Sequence, residues 1–262
     1  MEIKVEFSKL GPLVLKEPVT LELKHTILYG RSGVGKSLII KAIVAGLTVY
    51  EDIRSFLLPG LYGLKRLLKA SDFKVAVSKR TWKIARITAS TARIVTEVDD
   101  ERRMYKISVG DQSDLQLMLS DPGFANKIND VFDLWYTNIE VYGGFFREYG
   151  GEWARVVNLP YSYRRIIAIL YALEKSDIVF IEAFDAGLHM STMKRLIDYI
   201  SENYKDKVVV AELHHTPGIV FGLQRGWKAY VIEKERVTKL ERYEDIKNTD
   251  VFFRELSEVS SF

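Results

Sequence analysis

The chain has 262 residues, with 38 Lys+Arg against 35 Asp+Glu, no cysteine and 47% hydrophobic residues. That balance excludes a disordered, collagenous or disulfide-stapled chain, and it leaves room for one or two domains with a sizeable core. Without cysteine there is no disulfide, thiolate catalysis, cysteine-held zinc or iron–sulfur cluster.

The segments Ile3–Phe7 and Val19–Leu23 alternate apolar and polar residues, as half-exposed strands do. Thr26–Tyr29 is a short apolar strand that runs into a glycine loop, and Ser37–Tyr50 reads as a mostly buried helix. Leu57–Gly63 carries the Pro and Gly punctuation of a loop. Between Phe73 and Val109 several antiparallel strands are expected, divided by polar breaks. Asp111–Tyr136 reads as helix broken at Asp121-Pro122-Gly123, and the glycine- and aromatic-rich Glu140–Gly151 reads as irregular.

From Ser162 the pattern becomes alternating α and β. Ser162–Lys175 is an apolar helix, and Asp177–Ile181 and Lys207–Ala211 are buried strands. Met193, Leu196, Ile197, Ile200 and Tyr204 share one helical face between them. Trp227–Ile232 and Val237–Arg242 flank a polar turn as a hairpin, and Tyr243–Glu258 reads as a terminal amphipathic helix. The expected fold class is α/β, with an antiparallel β lobe and a helical insertion in its middle. The expected division is a core over 1–50 and 155–242, an insertion over 55–154 and a C-terminal helix over 243–262. No apolar run approaches the ~18 residues that span a bilayer, and no signal pattern opens the chain, so direct membrane insertion is not expected and a cytoplasmic address is.

Gly30-Arg31-Ser32-Gly33-Val34-Gly35-Lys36-Ser37 matches the phosphate-loop pattern G-x-x-x-x-G-K-[ST], with a strand before it and a helix after it. The glycines let the backbone turn tightly and aim N–H groups inward, and the following helix adds its positive dipole end. Lys36 would reach the β- and γ-phosphates, and the Ser37 hydroxyl would ligate Mg²⁺. Such a nucleotide also needs an acid delivered by a buried strand. Glu182, directly after the apolar Val179-Phe180-Ile181, is placed to supply it.

Glu182-Ala183-Phe184-Asp185-Ala186-Gly187-Leu188-His189 resembles the segment around Walker B and the D-loop in ABC-type ATPases of the SMC/RecF-like group. Glu212-Leu213-His214-His215-Thr216-Pro217 is similar to that group's switch segment, and Leu159-Pro160-Tyr161-Ser162-Tyr163-Arg164-Arg165 sits where its signature belongs. The opening strands through Gly11-Pro12-Leu13 are also similar, so the resemblance covers about 1–50 and 155–235. It implies ATP and Mg²⁺ as ligands, with Glu182 at the magnesium position and His215 sensing the γ-phosphate (His214 being the neighbouring register). It also implies a homodimer or heterodimer that forms with ATP. Because Ala183 stands where the group carries its catalytic Glu, slow hydrolysis is expected unless Asp185 or a neighbouring subunit substitutes. Pro160 and Ser162 depart from the signature, and Gln112 and Gln116 are the only candidates for a Q-loop.

Residues 63–106 carry 12 Lys/Arg and 5 Asp/Glu, a net of +7 within a chain of net +3. With Phe73, Trp82 and Tyr105 interleaved, this lobe suits a nucleic-acid backbone and stacking. A solvated strand face reads the same way. Only 121 residues separate Ser37 from Leu159, too few for long coiled-coil arms. An ABC-transporter nucleotide-binding subunit and a P-loop small-molecule kinase remain alternatives.

Overall fold

The computed structural model describes residues 1–60, 68–78, 81, 83–98, 101–148 and 150–249. Among them, an eight-stranded mixed sheet carries the core. Five of its strands run parallel in the order β13 (Lys228–Ile232), β3 (His25–Tyr29), β12 (Val208–Leu213), β11 (Ile178–Ile181) and β5 (Ile84–Ile87). Antiparallel strands close both edges: β14 (Val237–Leu240) beside β13, and β6 (Thr91–Val98) then β7 (Glu101–Ser108) beside β5.

The parallel strands are apolar on both faces because each face has its own core. Ile27, Tyr29, Val179, Ile181, Val209 and Ala211 point into one cluster, with helices α3 (Gln112–Leu119), α4 (Pro122–Leu134), α5 (Tyr161–Lys175), α6 (Met190–Asn203) and α7 (Pro217–Gln224). Their alternate neighbours Leu28, Ile178, Phe180, Val208 and Val210 enter a second cluster. That second cluster also takes α1 (Lys36–Leu47), α2 (Glu51–Leu57) and a three-stranded sheet of β2 (Leu13–Leu23), β1 (Ile3–Leu10) and β4 (Asp72–Val77). Period-two alternation therefore supplies two hydrophobic layers from one strand set, which is why these strands read as continuous apolar runs.

The antiparallel strands expected after Phe73 are present, but they do not stand apart. β4 joins β1, whereas β5, β6 and β7 continue the main sheet. The expected helix break is real and has a physical cause. Asp111 Oδ1 accepts from the N–H groups of Ser113 and Asp114 at 2.9 and 3.0 Å, and Asp121 Oδ1 accepts from Gly123 and Phe124 at 3.0 and 3.2 Å. Two capped helices result, the second with Pro at its start.

The region expected to be irregular is instead a hairpin, β8 (Ile139–Tyr142) with β9 (Phe145–Glu148), extended by β10 (Ala154–Arg155). Gly143 and Gly144, both at positive φ (54° and 89°), make the two-residue turn. At the C-terminal end Tyr243–Asn248 forms 3₁₀ turns rather than α-helix. Asp245 Oδ2 accepts from the N–H groups of Glu241 and Arg242 there. The rest of the expected terminal helix, 250–262, lies outside the described residues, as does Trp82.

Candidate functional site

The phosphate loop leaves the C-terminal end of β3 and enters α1. Gly30 (φ 149°) lies against β13, and a Cβ there would meet the carbonyl oxygen of Ile232 at 2.4 Å. Gly33 and Gly35 also take positive φ, at 83° and 112°. Gly35 is the N-cap of α1, and no side chain caps that helix and no acid sits in its first turn. The helix therefore presents its positive end to the cleft, a preformed setting for an anion.

Lys36 is 2% exposed. Its ammonium donates to the carbonyl oxygens of Gly30 (2.6 Å) and Arg31 (2.9 Å) and lies 3.7 Å from Glu212 Oε1. Burial pulls its pKa below the ordinary lysine value, and the charges of Glu212 and Asp185 oppose that pull. The Ser37 hydroxyl donates to Glu212 Oε2 at 2.8 Å.

These groups open onto a cleft of about 420 Å³ lined on one side by Ser32, Gly33, Gly35, Lys36 and Ser37. Its other walls come from Thr88 and Ala89 after β5, Glu182 and Ala183 after β11, and Glu212 and His214 at the end of β12. The site thus lies beyond the C-terminal ends of the parallel strands, where open α/β sheets place their ligands.

The sequence-derived residues fare differently from one another. Glu182 lines the cleft, with its Oε1 accepting from Arg86 Nε at 2.6 Å. Arg86, one of the charges counted in the basic lobe, is itself buried and also donates to Leu57 O at 2.9 Å. Asp185 is buried behind the cleft rather than in it. Its Oδ2 accepts the N–H groups of both His214 and His215 at 2.7 Å, which ties the loop after β11 to the loop after β12. His215 is exposed and not part of the cleft lining, whereas His214 lines the cleft with Nε2 3.5 Å from Glu212 Oε1.

Neither glutamine reaches the site. Gln112 donates to Gly144 O at 2.8 Å and accepts from Val157 N–H at 3.0 Å, and Gln116 packs on Gly144. The signature segment starts α5, and both of its arginines turn inward. Arg164 donates to Val109 O at 2.9 Å. Arg165, fully buried, donates to Tyr161 Oη (2.9 Å) and to the carbonyls of Ala89 (3.3 Å), Glu182 (2.9 Å) and Ala183 (2.5 Å). Ala183 is held at φ 48°, a left-handed conformation that alanine adopts at a cost.

The basic lobe is split by the topology. Lys74 is exposed on β4, and Arg102, Arg103 and Lys106 are exposed on the edge strand β7 of the other sheet. Phe73 packs on Phe7 with ring centroids 5.8 Å apart, and Tyr105 packs against the main core, so neither offers an open stacking face.

Sequence reasoning missed Glu212. Its signal was a carboxylate at the end of an otherwise apolar strand, the same signal that singled out Glu182.

No family model and no curated protein matches this chain. Solved structures do. The chain covers 100% of an SMC head domain from Thermotoga maritima, with 92% of its own length, TM-score 0.52 and 12% identity. It covers 98% of an SMC head bound to the C-winged helix domain of ScpA (93% of this chain, TM-score 0.58, 11% identity). It also covers 99% of the ATP-binding cassette of an ABC transporter in its ADP conformation (98% of this chain, TM-score 0.53, 11% identity). The chain has the ABC/SMC-type P-loop ATPase fold. Among the described residues no helix is long and apolar enough to cross a membrane.

Proposed function

We propose that this chain is an ABC/SMC-type nucleotide-binding head that holds ATP with Mg²⁺, pairs with a second head when nucleotide is bound, and hydrolyses slowly. The observation that carries the reading is the cleft itself, which faces the uncapped N-terminus of α1, Lys36 and the Ser37 hydroxyl toward carboxylates from neighbouring strands. That donor set fits a triphosphate and a divalent ion.

On this reading the loop N–H groups and Lys36 hold the β- and γ-phosphates. Lys36 exchanges its carbonyl partners on Gly30 and Arg31 for phosphate oxygens to do so. Ser37, with a carboxylate from a neighbouring strand, would hold Mg²⁺, which would supply charge neutralisation for phosphoryl transfer. Ala183 offers no group to accept a proton or orient water, and Asp185 is committed to two backbone N–H groups. Loss of such a base typically lowers turnover by ~10²–10⁴-fold. His214 lines the cleft and His215 does not, so this reading assigns γ-phosphate sensing to the neighbouring register, His214.

The test is nucleotide-dependent sizing with hydrolysis measured in parallel. Wild type should dimerise with ATP, Lys36→Ala should not, and Ala183→Glu should turn over faster. A size unaffected by ATP, or single-turnover hydrolysis in wild type as fast as in Ala183→Glu, would sink the proposal.

Exposed Arg102, Arg103 and Lys106 on the edge strand β7 support contact with a nucleic-acid backbone. Its affinity should fall steeply with salt, and salt-indifferent binding would refute it. The likeness to an ABC-transporter cassette favours a second reading, a transporter's nucleotide-binding subunit. Stable co-purification with a membrane-embedded partner would select it.

A further inference from the structure

We infer that the acid serving the magnesium side of this site is Glu212 on β12, and that Glu182 is held out of that role by Arg86. The inference rests on the nucleotide-binding reading above and concerns which carboxylate that site uses.

Three observations lead there. The first is topological. In the parallel sheet β12 lies directly beside β3, with Glu212 in register with Leu28, whereas β11 is one strand further away. Strands are ~4.8 Å apart, so the ends of β12 and β13, the two neighbours of β3, lie nearest the phosphate loop, and of these two strands only β12 carries a carboxylate; the end of β11 is about twice as far.

The second is direct contact. Glu212 Oε2 accepts from the Ser37 hydroxyl at 2.8 Å, the oxygen that the phosphate-loop pattern gives to Mg²⁺. Glu182 instead accepts from Arg86 Nε at 2.6 Å.

The third is charge balance. Arg86 is 7% exposed, pairs with Glu182 at 2.6 Å, is anchored a second time on Leu57 O, and does not line the cleft that would take the phosphates, as Lys36 does. A carboxylate neutralised by a fixed buried cation is a weak ligand for a second cation. Glu212, 4% exposed, is balanced by Lys36 at 3.7 Å. When phosphates draw the Lys36 ammonium toward themselves, Glu212 keeps its charge, its burial and its place beside Ser37. A divalent ion arriving with the nucleotide restores the balance. Glu212 thus has two partners in turn: the phosphate-loop lysine without nucleotide, and the metal with it.

The experiment measures the dissociation constant of a fluorescent ATP analogue in Mg²⁺ and in EDTA for wild type, Glu212→Gln and Glu182→Gln. Mn²⁺ binding in the presence of a non-hydrolysable ATP analogue is followed by electron paramagnetic resonance, and folding by circular dichroism. Glu212→Gln keeps the shape and the acceptor for Ser37 but loses the charge. It should lose at least ~10-fold of the metal-dependent gain in affinity and most of the Mn²⁺ signal. Glu182→Gln should keep that gain to within ~3-fold. Glu212→Asp, charged but one methylene shorter, should fall between wild type and Glu212→Gln, and it serves as the test if the Gln variant does not fold. The inference is overturned if Glu182→Gln abolishes the metal-dependent gain while Glu212→Gln or Glu212→Asp retains it in full. A wild type that binds no nucleotide, or binds it without regard to Mg²⁺, overturns instead the reading on which it rests.

Discussion

Replacing Arg165 by Met tests whether the start of α5 braces the loop after β11. The guanidinium is fully buried and donates to four neutral oxygens, namely Tyr161 Oη and the carbonyls of Ala89, Glu182 and Ala183. Hydrogen bonds from a charged donor contribute about 1.5–3 kcal/mol each. Four of them do not simply add, because removing the side chain also removes the desolvation cost of a buried cation whose Nε has no partner. Met fills the space of the arginine stem, so the cavity term is small. The net expectation is a loss of about 3 kcal/mol, a large share of the 5–15 kcal/mol that stabilises a typical domain. Arg165→Lys keeps the charge but not the fork, and should lose about 1–2 kcal/mol. Guanidinium chloride unfolding measures both. If the Met variant unfolds within about 0.5 kcal/mol of wild type, the fork contributes nothing and the bracing argument is wrong.

Gly187→Ala should destabilise by about 2 kcal/mol or more, since a Cβ at φ 71° would lie 2.6 Å from the Tyr161 ring; a thermal midpoint unchanged from wild type would contradict this. Ala183→Gly should be neutral or stabilising by up to about 1 kcal/mol, the reverse of the usual glycine penalty, because Ala183 already sits at φ 48°. A loss above that figure would show that no strain is stored there. Burial pushes the Tyr199 phenol up to about 12 and, helped by the neighbouring Glu174, also raises Tyr204, whose hydroxyl donates to Glu174 at 2.6 Å. Above about pH 10 the unfolded chain sheds phenolic protons that the folded chain keeps, so stability should fall as pH rises from 10 toward 12. Urea midpoints at pH 9 and 11 check the slope, and Tyr204→Phe should flatten it.

Much of this molecule was legible in its sequence because local chemistry set it. The phosphate loop needs glycines at fixed offsets between a strand and a helix, and residues 30–37 supply them. The strands Thr26–Tyr29, Asp177–Ile181 and Lys207–Ala211 were readable because burial on both faces leaves continuous apolar runs, and Asp121-Pro122-Gly123 announced a helix break through its capping chemistry. The Gly143-Gly144 hairpin carried a signal too, a glycine pair between alternating residues, but its aromatic content hid the alternation.

Strand order is a different matter. It depends on which distant segments pair, and no local pattern records that. The order β3, β12, β11 put Glu212 rather than Glu182 against Ser37, and it set Arg86 beside Glu182 across 96 residues of sequence. It also divided the basic stretch between two sheets, so that a net charge of +7 in the sequence is not one surface in space. Spacing along the chain alone marks the phosphate-loop pattern that ends at Lys36 and Ser37. The tertiary structure decided which acids, histidine and arginine stand around it, because contacts between strands far apart in the chain, not spacing along it, bring those side chains within reach.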